Sequence, residues 1–291
     1  MKCVVTESGS TYKILTGADI CGTEAGPMSE KTAKYIDDLM TIDAECYGGD
    51  EKGEDCCYVG DATGYYDRFG FVEGEDGKWG LDPNRGCVDN IIAVANDEGR
   101  IVGYINYLTM DKELHNEIVN PDIKAYLEDP TRRDDGITGD QLKKWSKDEP
   151  NDLFILSVTI AKDYQDGDVV KLVSNEFREE LIRKEDEGYH INSITADTVS
   201  DHGEDFTKML RCDNAKGKDG KPIILPCPES DESGHPVTVR ICEGENLEAL
   251  LSQGFDFERE KLAVSKSSER SKSIEGLSTF EEEGDQTQIG G

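Results

Sequence analysis

Leu153-Phe154-Ile155-Leu156-Ser157-Val158-Thr159-Ile160, followed closely by Lys162-Asp163-Tyr164-Gln165-Asp166-Gly167-Asp168, is the stretch that decides the fold. Its first run is apolar and β-branched, the composition of a buried strand. The second run is polar and contains a glycine, so it reads as a turn. Beyond it Val169, Leu172, Val173, Phe177 and Leu181 recur at helical spacing and predict an amphipathic helix. The first N–H groups of a helix have no intrahelical partner, so a helix opening on such a turn receives an anionic group such as a pyrophosphate. Ile191-Asn192-Ser193-Ile194-Thr195-Ala196-Asp197-Thr198-Val199-Ser200 then predicts a second strand, leading into a helical stretch over 204–210. Strand, turn, helix and strand in this order make a site for a phosphorylated cofactor.

Upstream, residues 90–95 and 100–108 are apolar runs separated by Asn96-Asp97-Glu98-Gly99, the pattern of a hairpin with a polar, glycine-ended turn. Residues 3–6 and 13–15 predict a short opening hairpin. Between these hairpins Ser29 is placed as the N-cap of a helix, with Ile36, Leu39 and Met40 as its apolar positions and Tyr47 near its end. Asp37, Asp38, Asp43 and Glu45 interleave with them, and a carboxylate near the end of such a helix reads as solvated.

Tyr164-Gln165-Asp166-Gly167-Asp168-Val169-Val170 resembles the pyrophosphate-binding turn of the GCN5-related N-acetyltransferase superfamily, Gln/Arg-x-x-Gly-x-Gly/Ala. Gln165 fits the first position and Gly167 supplies a glycine one position early, while Asp168 and Val170 stand where the family prefers small residues. The hairpin and the strand-to-helix stretch from Ile191 fit the same superfamily in position and order. The resemblance covers about 30–210 and extends toward residue 265. It implies a mixed, mostly antiparallel twisted α/β sheet flanked by helices, built by residues 1–265 with insertions at about 48–87, 110–150 and 211–236. It further implies acetyl-CoA as cosubstrate, its pantetheine along Val158, Thr159 and Ile160 and its pyrophosphate on the backbone of Gln165, Asp166, Gly167, Asp168, Val169 and Val170. The first helix and its following loop form one wall of the acceptor cleft in that family, which points Glu45, Cys46 and Tyr47 toward substrate.

The chain has 291 residues and a formal net charge of −31. Such a charge repels polyanions and attracts amines, polyamines or basic proteins, so nucleic acid is an unexpected partner; an acidic surface also secures solubility alone. No segment reaches the length of a membrane span, and Met1-Lys2-Cys3-Val4-Val5 is followed by polar residues, so a cytoplasmic protein is expected. Nine cysteines without a C-x-x-C pair signal neither a disulfide framework nor a metal site.

The stretch 48–87 carries Tyr58, Tyr65, Tyr66, Phe69, Phe71 and Trp79 among glycines and acids, which predicts a locally packed insertion; Tyr65, Tyr66 and Trp79 are either satellite packing or a wall for an amine. Within 110–150, helices are expected near 122–127 and 139–145, with Arg132 and Arg133 between them either meeting the adenosine phosphate or pairing with neighbouring aspartates. Strands are expected at 222–225 and 237–242, a helix at 246–252 and a last strand from Gly254 toward Val264. Residues 266–291 read as an acidic, disordered tail.

A tyrosine on the helix after the fifth strand often protonates the leaving thiolate in the resembling family; Phe206 stands nearest that place and lacks the group. Ser200 and His202 are the catalytic candidates at that strand end, and the plain reading beside them is that Ser200 or Asp201 caps the helix while His202 meets solvent. The resemblance thus implies an N-acetyltransferase acting on a primary amine of a small molecule or peptide. The alternatives are a catalytically inactive CoA-binding or regulatory protein that retains the fold, and an unrelated interaction protein.

Overall fold

The computed structural model describes residues 1–47, 62–83, 90–119, 142–165, 167–225 and 236–256. In chain order the elements run β1 (Lys2–Val5), β2 (Thr11–Thr16), α1 (Gly17–Cys21), β3 (Gly26–Pro27), α2 (Glu30–Tyr47), α3 (Ala62–Arg68), β4 (Phe71–Glu73), β5 (Trp79–Leu81), β6 (Ile91–Ala95) and β7 (Ile101–Met110). They continue with α4 (Lys112–Val119), β8 (Asn151–Ile160), α5 (Asp168–Asp186), β9 (Ile191–Thr198), α6 (Asp201–Met209), β10 (Asp213–Asn214), β11 (Ile224–Leu225), β12 (Val237–Glu243) and α7 (Gly244–Gln253).

The main sheet has the order β1-β2-β6-β7-β8-β9-β12-β10, with β11 beside β12. Its described pairs are antiparallel apart from β8–β9, which is parallel and connected through α5. This is the mixed, mostly antiparallel sheet that the sequence predicts. β6 and β7 are buried along their whole length, because helices cover both faces and leave no solvent side on which polar residues would alternate. Their turn closes as Asn96 N–H donates to the Arg100 carbonyl at 2.9 Å, with Gly99 at φ 82°, a conformation that favours glycine.

α2 starts as expected, although the short α1 precedes it: Ser29 Oγ accepts from Thr32 N–H at 3.1 Å, and Thr32 Oγ1 donates on to the Ile20 carbonyl at 2.9 Å. α2 lays Ile36, Leu39 and Ile42 on one face of the sheet, and α5 lays Val169, Val173, Phe177 and Leu181 on the other. Side chains alternate along β7, so Gly103 faces α5 while Tyr104 faces α2. A Cβ at Gly103 would stand 2.6 Å from Val169 Cγ1 and 2.7 Å from Ile160 Cδ1, so only glycine lets α5 settle this closely on the sheet.

The described part of 48–87 is more than the locally packed unit expected: Tyr65, Phe69 and Phe71 are buried in the main core, and Tyr66 and Trp79 lie against it. Tyr66 meets Trp79 at 5.0 Å between ring centroids, and β3, β5 and β4 form a separate small sheet. Two further expectations are corrected. Residues 142–145 are not helical: Leu142 bridges to Met110, and Trp145 Nε1 donates to Asn90 Oδ1 at 2.9 Å while packing on Tyr107, so tertiary partners hold this segment extended. Residues 254–256 do not begin a strand: Gly254 ends α7 at φ 87°, and Asp256 N–H donates to the Met209 carbonyl at 2.9 Å. The helix expected near 122–127, Arg132, Arg133 and the tail 266–291 lie outside the described residues.

Candidate active site at the open end of β8

β8 leaves β9 halfway along its length. The parallel ladder runs from Asn151 to Ile155 and stops, whereas on the other side β8 stays paired with β7 as far as Ile160, opposite Gly103. The divergence starts at a bulge: Ser157 pairs with Asn106 and Ile155 with Tyr107, which leaves Leu156 as an extra residue on β8. A bulge bends its strand and increases its local twist, and here it turns the last residues of β8 away from β9.

The open backbone is that of Val158 and Ile160. Ala161 N–H donates to the Val102 carbonyl at 2.9 Å, so by the antiparallel alternation Thr159 and Ser157 direct their backbone groups to β7, and Val158 and Ile160 direct theirs away. Side chains reach these outward carbonyls. Gln165 Nε2 donates to the Ile160 carbonyl at 2.9 Å, Cys46 Sγ reaches the same oxygen at 3.2 Å, and Tyr47 OH lies 3.4 Å from the Val158 carbonyl. The sequence expectation that Cys46 and Tyr47 approach the site therefore finds them at the strand edge, while Glu45 pairs with Arg100 at 3.0 Å.

A turn through the short 3-10 segment Lys162–Tyr164 carries the chain from that edge to α5. The α5 N-cap is Gly167, at φ 139°, which has no side chain to cap the helix. Intrahelical bonding begins when Lys171 N–H donates to the Gly167 carbonyl, so the N–H groups of Asp168, Val169 and Val170 lie before the ladder. The Val169 side chain is buried against the sheet, and its contribution to a ligand is confined to the backbone. Asp168 Oδ2 accepts from Ser8 Oγ at 2.7 Å, and this bond, with help from Thr6, holds the Asp168 carboxyl below the usual carboxylate range. Asp168 is thus an anion turned toward the β1–β2 turn. Asp166 lies outside the described residues.

On the α2 face of the same strand end lies a buried polar cluster built around Asp43, which is 3% exposed. Thr159 Oγ1 donates to Asp43 Oδ1 at 2.6 Å, Tyr104 OH donates to Oδ2 at 2.5 Å, and Tyr65 OH also donates to Oδ2. Ser157 Oγ lies 2.8 Å from Thr159 Oγ1, and Tyr47 OH lies 3.4 Å from Ser157 Oγ. Burial pushes the Asp43 carboxyl up, against the pull of its three hydroxyl donors and of the Arg68 charge. Burial likewise pushes Tyr47 up to about 12 and raises Tyr65 and Tyr104, each of them further raised by the Asp43 charge. Sequence reading treats Asp43 as one of several solvated acids. It is instead the centre of the cluster, and the available signal is its place one position after the buried Ile42 in the α2 stripe.

At the end of β9, Ser200 caps α6, its Oγ accepting from Gly203 N–H at 3.1 Å. His202 is exposed in the first turn of α6, and Phe206 is buried on its inner face.

The uncapped start of α5 and the outward backbone of Val158 and Ile160 suit an anion and an amide-bearing chain respectively; ionised Asp168 works against the anion. No family model matches the chain, and no curated protein matches it. Solved structures with similarity in fold include the NatC complex bound to Gag peptide and CoA, at 7% identity and TM-score 0.41 over 76% of this chain and 98% of that one. A Drosophila melanogaster polyamine N-acetyltransferase aligns at 11% identity and TM-score 0.41 over 76% and 99% of the two chains. The AHL synthase LasI aligns at 12% identity and TM-score 0.40 over 84% and 97%. Likenesses this distant carry no argument about activity, and the architecture rests on the strand order and registers above. Among the described residues no helix is long and apolar enough to cross a membrane.

Proposed function

We propose that the protein is an acyl-CoA-dependent N-acyltransferase that moves an acetyl group from acetyl-CoA to a primary amine of a small molecule or peptide. The observation that carries this reading is the early end of the β8–β9 ladder at Ile155, which leaves the backbone of Val158 and Ile160 facing a gap beside the uncapped start of α5. The pantetheine arm would take backbone hydrogen bonds at Val158 and Ile160, displacing the side chains of Gln165, Cys46 and Tyr47 that now reach those carbonyls. Thr159 faces the Asp43 cluster, and the pyrophosphate would lie on the backbone from Gln165 to Val170.

Bound there, acetyl-CoA supplies a thioester at whose carbonyl carbon a C–N bond forms and the C–S bond breaks, one amine proton passing to the departing sulfur. The chain's share of the work is orientation, backbone hydrogen bonding and proton handling. Ser200 accepts a bond as a cap and keeps a hydroxyl proton to donate, and His202 beside it carries an imidazole that can pass a proton; these two are the proposed donors at the end of β9. The net charge of −31 favours a cationic acceptor. Free thiols buried at Cys21, Cys212 and Cys242 suit a reducing, cytoplasmic setting.

Buried Phe206 favours a second reading, a CoA-binding protein without turnover. Calorimetric titration with acetyl-CoA, followed by assay of CoA release with a panel of amines, separates the two. Binding with turnover supports the transferase, binding without turnover supports the second reading, and no heat of binding at millimolar acetyl-CoA removes both.

A further inference from the structure

We infer that Asp43 is the site's remote proton acceptor, drawing the proton of the incoming ammonium group through the hydroxyls of Ser157 and Thr159. This rests on the N-acyltransferase reading and adds to it a base that the open strand edge does not itself provide.

The hydroxyls form a directed line. Ser157 is half-buried at the place where β8 parts from β9, so it lies beside the opening together with Tyr47, whose hydroxyl is 3.4 Å from it. Its Oγ lies 2.8 Å from Thr159 Oγ1, and Thr159 Oγ1 donates at 2.6 Å to Asp43 Oδ1. Because the Thr159 and Tyr104 protons are both committed to the carboxylate, Ser157 donates to the nearer hydroxyl, Thr159, with Tyr104 OH a further neighbour at 3.2 Å. Ser157 Oγ keeps a lone pair for a donor arriving from the cleft. An alkylammonium group is such a donor. Its N–H proton passes to Ser157 Oγ as the Ser157 proton passes to Thr159 Oγ1 and the Thr159 proton to Asp43 Oδ1. One N–H and two O–H bonds break, three O–H bonds form, and the amine is left with the lone pair that acylation requires.

A plain structural role for the cluster would be met more simply. A buried carboxylate is costly unless it is fully hydrogen-bonded, and an apolar residue following Ile42 would avoid that cost. Every element around Asp43 contributes to its setting. Tyr65 and Arg68 come from α3, Tyr104 from β7, Ser157 and Thr159 from β8, and Cys46 and Tyr47 from the last turn of α2. Arg68 does not pair with the carboxylate directly; it stacks over the Tyr65 ring at 4.7 Å, whose hydroxyl bonds Asp43. The outcome is a carboxylate held by neutral donors, with burial raising its affinity for a proton, and a base is most effective when its proton affinity is matched to neutral pH. Asp43 and Thr159 do not touch substrate and are positioning residues, so their test must read proton transfer rather than activity alone.

Carbon-13 NMR of aspartate-labelled protein without ligand, assigned with Asp43→Asn, reads the acceptor directly. Its carboxyl is expected to titrate above the ordinary aspartate value of about 3.9. A carboxyl that titrates at or below that value overturns the inference. In parallel, CoA release is followed with acetyl-CoA and spermidine, agmatine or a short peptide with a free N-terminus. Thr159→Val keeps the shape and cuts the line; it is expected to lower kcat at least about tenfold and shift the acid limb of the pH profile, with acetyl-CoA affinity within about twofold of the parent. Thr159→Ser restores both. Should the valine variant not fold, Ser157→Ala at the half-buried end makes the same comparison. A parent that acetylates none of these amines ends the N-acyltransferase reading, whereas an active parent matched by its Thr159→Val variant in rate and pH profile ends this inference alone.

Discussion

Against α5, strands β7 and β8 present Gly103 and Ile160 to Val169, a contact so close that no side chain fits at Gly103. Against α2, the same two strands present Tyr104, Ser157 and Thr159 to a buried carboxylate. Adjacent residues thus serve opposite purposes, because alternation along a strand sends neighbours to opposite faces. The α5 face is a dry foundation that fixes where β8 ends. The α2 face carries a polar network whose bonds from Ser157 and Thr159 depend on that placement. A rigid face behind a polar one is how a site keeps its geometry without relying on loops.

The contrast is broken most forcefully by emptying the foundation. Phe177→Ala removes a fully buried ring that packs 5.1 Å from the Tyr107 ring, and should cost about 3–5 kcal/mol in denaturant unfolding. A loss under about 1 kcal/mol would mean that α5 is not the foundation described. Gly103→Ala tests the same face by overfilling it, with an expected loss of about 1–3 kcal/mol as Val169 and Ile160 shift. Its thermal unfolding should show the decrease even without ligand.

On the α2 face the expected signature is a pH dependence. Burial raises the folded-state value of Asp43 above its unfolded value of about 3.9, so its contribution to stability is complete below about pH 4 and is lost as pH rises through the folded-state value. Asp43→Asn should remove that part of the slope and cost about 1–3 kcal/mol near pH 4, where an amide N–H₂ faces hydroxyl donors that it cannot accept from. Identical slopes in parent and variant, from urea titrations at several pH values, would show that Asp43 binds its proton equally in the folded and unfolded states. The smallest effect belongs to a residue outside both faces. Ser200→Ala should cost about 1 kcal/mol through loss of the α6 cap, and any fall in turnover beyond that of its reduced folded fraction would give Ser200 a chemical role as well.

How far this organisation could be read beforehand follows from range. The run Leu153 to Ile160, the Asn96–Gly99 turn and the Ser29 cap declare themselves within a few residues, and each stands where local pattern put it. The Asp43 cluster does not, because it joins positions 43, 65, 104, 157 and 159 across separate elements. Its place in the α2 stripe separates Asp43 from Asp37 and Glu45, but its partners stay hidden until the strands are assembled. The misread segment 142–145 errs for the same reason: Leu142 and Trp145 have apolar spacing, but their partners are Met110 and Asn90.

The register of the sheet also sets an order of assembly. Ala95 pairs with Ile101, so β6 and β7 meet across a tight turn. By contrast Met110 pairs with Asp152, Asn151 with Ile191, and Thr198 with Thr238, so each of the next three junctions must first close a loop of about forty residues. Closing such loops costs chain entropy before any contact returns it, which slows pairing. The β6–β7 hairpin is therefore the natural nucleus. The edge where β8 parts from β9 comes into existence late, only after strands distant in the chain have found one another. Pulsed hydrogen exchange during refolding should protect Val102 and Ile105 ahead of Ile194 and Ala196, and a chain caught midway would hold its hairpin and have no site at all.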